Sequence, residues 1–84
     1  MTAAFEFAAK ARQASDDFSA ANVGRALNAD DWFRCYTLEV NAADACGLAA
    51  QTAKRIKEPT YVVQEWQAAI DLHLAFASAA KSRI

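Results

Sequence analysis

Apolar residues recur along this chain at intervals of three and four, the spacing that gathers them on one side of an α-helix. Phe7, Ala11, Ala14, Phe18 and Ala21 alternate steps of four and three, the seam of a helix that packs lengthwise on others. The pattern predicts a first helix from about Ala3 to Asn22, with Thr2 placed to cap its first turn and Gly24 to close its far end in a left-handed conformation. Glu6 and Lys10 form an i,i+4 pair on its solvated flank. A second helix opens at Asn28, a good N-cap residue ahead of Asp30 and Asp31. It closes at Lys54, Arg55 and Lys57, where the helix dipole favours cations. From Ala29 to about Lys57 it extends roughly 43 Å, longer than either neighbour. Glu58-Pro59-Thr60 ends it, because proline disfavours the α conformation in the residue before it and suits a first helical turn. The third helix carries Val62, Val63, Trp66, Ala69, Ile70, His73, Ala77, Ala80 and Ile84 on one side. So short a turn makes the second and third helices antiparallel neighbours.

The second helix carries two apolar stripes. Cys35, Leu38, Ala42, Cys46, Ala49, Ala53 and Ile56 fall on one, and Phe33, Tyr36, Val40, Ala43, Gly47 and Ala50 on another about 120° away. Two partners are therefore needed. Either the helix lies centrally between the other two, or it uses one stripe internally and the other for self-association or adsorption to an apolar surface. The fold expected is all-α, a three-helix antiparallel bundle with a long central helix, self-associating, with residues 1–84 forming one helical domain.

Composition sharpens this picture. The hydrophobic fraction is 55%, but 22 of the 84 residues are alanine, so the core must come from close approach of small side chains. A formal net charge of -1 gives no footprint for nucleic acid. No run of 18 apolar residues is free of charge, and the N-terminus has no basic, aliphatic leader, so the chain reads as cytoplasmic with no transmembrane segment. Cys35 and Cys46, eleven positions apart on one helix, are separated by roughly 16 Å and do not bridge each other. They read as small buried apolar residues in a reducing compartment, with an intermolecular disulfide as the alternative.

Candidate chemistry is sparse. His73 projects into the apolar stripe of the third helix and Glu39 falls between the stripes of the second, so both are polar groups drawn toward packing. Counted from Pro59 they are offset by roughly 9 Å along the hairpin, which favours a hydroxyl, carbonyl or water as the partner of His73 over Glu39. Asp16-Asp17 and Asp30-Asp31 are adjacent pairs pointing about 100° apart, so they are solvated ends and not carboxylate dyads. Phosphate-loop, dinucleotide, nucleophile-elbow and zincin motifs are absent from the sequence, and no metal or cofactor is expected. The expected role is non-enzymatic. Trp32, Phe33, Tyr36, Val40, Tyr61, Trp66 and His73 form the candidate interaction surface, although the rings would also serve simply to close the two ends of the bundle.

From Asn28 onward the chain resembles the phasin family, small helical proteins that coat bacterial polyhydroxyalkanoate storage granules. The resemblance rests on Trp32-Phe33, Asn41-Ala42-Ala43, Leu48-Ala49-Ala50 with Ala53-Lys54, the turn around Glu58-Pro59, and Val62-Val63-Gln64-Glu65-Trp66-Gln67 leading into alanine-rich sequence as far as Lys81. It covers about two-thirds of the chain, which is shorter than most members and lacks their polar C-terminal extension. The resemblance implies an amphiphilic coat protein, oligomeric in solution, whose helices lay an apolar stripe on the polymer. The alternatives are a small helical adaptor that binds a protein through its Trp32/Tyr36 or Trp66/His73 faces, and, more distantly, an enzyme subunit completed across an oligomer interface.

Overall fold

A computed structural model describes residues 2–84. Three helices follow one another: α1 (Ala3–Ala21), α2 (Ala29–Arg55) and α3 (Thr60–Lys81). The expected all-α three-helix bundle is what forms, and α2, at 27 residues, is its long central member. Each helix runs antiparallel to the next, with α2 packed against both of the others.

The start of α2 is fixed by a reciprocal cap. The Asn28 side chain accepts from the Asp31 backbone N–H at 2.9 Å, and the Asp31 carboxylate accepts from the Asn28 N–H at 3.2 Å. Two orphan donors are satisfied at once, an arrangement worth about 1 kcal/mol. The far end of α2 comes two residues earlier than Lys57. Lys57 adopts a left-handed conformation, φ 61°, while Glu58 N–H reaches Ala53 O and Lys57 N–H reaches Lys54 O. These two bonds close the helix in a Schellman motif without the usual glycine, which is why the sequence gives no sign of it. At the end of α1, Gly24 takes the expected positive φ, 74°.

Alanine sets the distances between helices. Ala8, Ala45, Cys46, Ala49 and Ala69 form the central cluster, with Phe5, Ala11, Trp66 and Ile70 leaning over it. Ala42, Cys46, Ala49 and Ala53 of one α2 stripe are fully buried, and Ala43 and Ala50 of the other nearly so. The first stripe is therefore closed by the chain's own helices from Ala42 to Ala53, and the second is covered at Ala43 and Ala50, with open space over the half-buried Gly47 between them. Narrow alanine stripes let long side chains from α1 and α3 reach across them.

The α1 seam is also rotated from its expected position. Ala8 and Ser15 are the buried residues, flanked by half-buried Phe5, Ala11, Arg12 and Phe18, whereas Ala14 and Ala21 are exposed and Phe7 is 60% exposed. The helix turns by one residue because its polar side chains, Arg12 and Ser15, find partners inside.

The molecule is long and thin. Its accessible surface is 5548 Å², against about 4,900 Å² for an ordinary monomer of this mass. Its radius of gyration is 13.7 Å, where about 12 Å is usual for such a length. Small side chains inside have left bulk outside: among the described residues the largest fully buried side chain is that of Cys46.

Candidate functional site

A polar network crosses all three helices beneath the alanine surface. Ser15 of α1 donates its hydroxyl to Glu39 Oε1, His73 Nδ1 of α3 lies 3.1 Å from Glu39 Oε2, and Arg12 Nε of α1 donates to His73 Nε2 at 3.2 Å. Ser15, Glu39 and His73 are each at least 95% buried. An arginine Nε–H only donates, so His73 Nε2 accepts and the ring proton sits on Nδ1, directed at the carboxylate. Every polar atom of the Glu39 carboxylate is thereby occupied, as a buried charge requires.

Glu39 and His73 are thus direct partners, against the expected offset. The register follows the helix ends and not Pro59. Glu39 lies sixteen residues before Arg55 and His73 thirteen after Thr60, roughly 24 and 20 Å from the turn, a gap the two side chains span. The α1 members of the network carry no motif in the sequence. Arg12 and Ser15 stand three apart on the Ala8 face, and that spacing was their only trace in the sequence.

The aromatic residues are distributed differently. Trp66 stacks on Phe5 at 5.8 Å between centroids, and the Arg83 guanidinium lies 4.9 Å above Trp32, so both indoles are half-buried within the chain. Tyr36 and Val40 are half-buried as well, and His73 faces inward, which removes it from any surface. Of the seven candidate surface residues, Phe33 and Tyr61 remain well exposed, at 59% and 63%.

Other large apolar residues, which the interior stripes did not single out, are turned to solvent. Leu72 and Phe76 are about half exposed on α3, and with Tyr61 and the exposed Ala68 they recur at helical spacing along one outer face. Between α1 and α2, Phe7, Ala11, Ala14 and Leu38 line an open groove of about 560 Å³ with Lys10, Asn41 and Asp44 at its edge. A smaller cleft of about 270 Å³ runs between Trp32, Phe76 and Arg83 and reaches the buried Glu39.

Burial pushes the Cys35 thiol above its ordinary pKa, and the nearby Glu39 charge adds to the rise. Burial raises that of Cys46 too, partly countered by the Arg12 guanidinium. Both stay as unreactive thiols at neutral pH. Among the described residues no group of three His, Cys, Asp or Glu side chains is placed to hold a metal ion. No described helix is long and apolar enough to cross a membrane.

Comparison with protein-family models, curated proteins and solved structures finds no match.

Proposed function

We propose that this chain is a phasin-like, non-enzymatic amphiphile of the cytoplasm that adsorbs to the apolar surface of polyhydroxyalkanoate granules and self-associates in solution. One observation carries the reading: the packing is inverted by size, with alanine inside and Phe7, Leu48, Tyr61, Leu72 and Phe76 outside. Scattered exposed leucines are ordinary, but rings and leucines in register along a helix suit an apolar support. The residues that resemble phasins lie on α2 and α3, and α3 carries the row of Tyr61, Leu72 and Phe76. Burying such area contributes about 25 cal/mol per Å², so two half-exposed side chains matter to adsorption.

The test is co-sedimentation with polyhydroxybutyrate particles. The parent protein is expected in the pellet, and Leu72→Gln/Phe76→Gln, altered only at exposed positions, is expected to bind about tenfold more weakly. Recovery of the parent protein wholly in the supernatant overturns granule binding. That result would favour the adaptor reading, for which the exposed rings of Phe33 and Tyr61 provide the contact area.

A further inference from the structure

We propose that Arg12, His73 and Glu39 form a pH-sensitive clasp that holds α1 on the α2–α3 hairpin at neutral pH and loosens it in mild acid. The three helices are not equally bound. α2 and α3 share a broad alanine interface, whereas α1 packs its backbone against α2 alone and meets α3 through side chains, chiefly Phe5 on Trp66 and Arg12 on His73. The His73 ring stands between two elements and binds each with a different nitrogen. Nε2 accepts from Arg12 of α1, and Nδ1–H donates to Glu39 of α2.

A second proton on that ring acts with opposite sign on its two sides. At Nε2 it replaces an acceptor with a donor and sets an imidazolium against the guanidinium, so the Arg12 bond is lost. At Nδ1 the hydrogen bond to Glu39 becomes a full ion pair, so the hairpin tightens. Histidine is the side chain suited to gain a proton in the mildly acidic range. The charged or titratable groups around the ring are Arg12 from α1 and Glu39 from α2, with the Cys35 and Cys46 thiols near those two charges; α3 itself sets the edge of Phe76 against it. The thiols are neutral throughout this range. Arg12 is only half-buried and has a path to solvent.

The test is residue-resolved amide hydrogen exchange on the whole chain, without polymer, at pH 7.5 and about pH 5.5, corrected for intrinsic rates. Protection in α1 is expected to fall about tenfold relative to α3, the effect of one lost charge-assisted bond. His73→Gln, which gains no proton, is expected to abolish the difference. Arg12→Gln, at a half-exposed position, is expected to do the same should the histidine variant not fold. Equal loss across all three helices, unchanged protection in α1, or a parental response in the folded variants overturns the clasp.

Discussion

Glu39→Ala is expected to cost about 3–5 kcal/mol, the loss that follows when one member of a buried charged network is removed. A chain of this size has stability of only about 5 kcal/mol to lose, so the variant should be largely unfolded at room temperature. The reason lies in what remains. Without the carboxylate, the Ser15 hydroxyl and the His73 Nδ1–H are stranded in an alanine-lined interior. Glu39→Gln keeps one acceptor oxygen and the side-chain volume, and should lose about half as much. Urea unfolding followed by far-UV circular dichroism measures both. A midpoint for Glu39→Ala equal to that of the parent would mean that the three helices do not depend on this crossing.

Ala49→Leu is the second large effect, expected at about 1–3 kcal/mol. Ala49 is fully buried in the cluster with Ala8, Ala45 and Ala69, where α1 and α3 both approach α2. Three added carbons have no void to enter in a close-packed interior, so α1 must move outward and strain the Arg12 and Ser15 bonds. Ala68→Leu makes the same chemical change at an exposed position of α3 and should fall within about 0.5 kcal/mol of the parent. Similar losses for the two variants would contradict a core set by alanine contact.

Much of this architecture is legible in the sequence because its signals are local. Asn28 with Asp31 marks one helix start, Pro59 marks a turn, and alanine with few glycines fills the rest with helix. The end of α2 is hidden because Lys57 adopts a conformation that glycine would have announced. The orientation of α1 is hidden for a different reason. In an alanine-rich helix the apolar pattern is nearly even all round, so the bulk of Phe7 suggests the buried face, while the true face is chosen by bonds from Arg12 and Ser15 to residues far along the chain. Glu39 and His73 show in the sequence as polar groups at packed positions, but their pairing depends on the helix ends, which shift the register by several ångströms.

The same size inversion accounts for the functional reading. An interior of alanine brings helices close and leaves no room for phenylalanine or leucine, so those side chains gather outside and enlarge the apolar exterior of an already slender molecule. We propose that such an exterior is covered by a support or by another copy of the chain. Sedimentation equilibrium of the purified protein in polymer-free buffer at micromolar concentration tests this most directly. The account predicts a mass of at least twice 9.1 kDa; the monomer mass throughout that concentration range would contradict it.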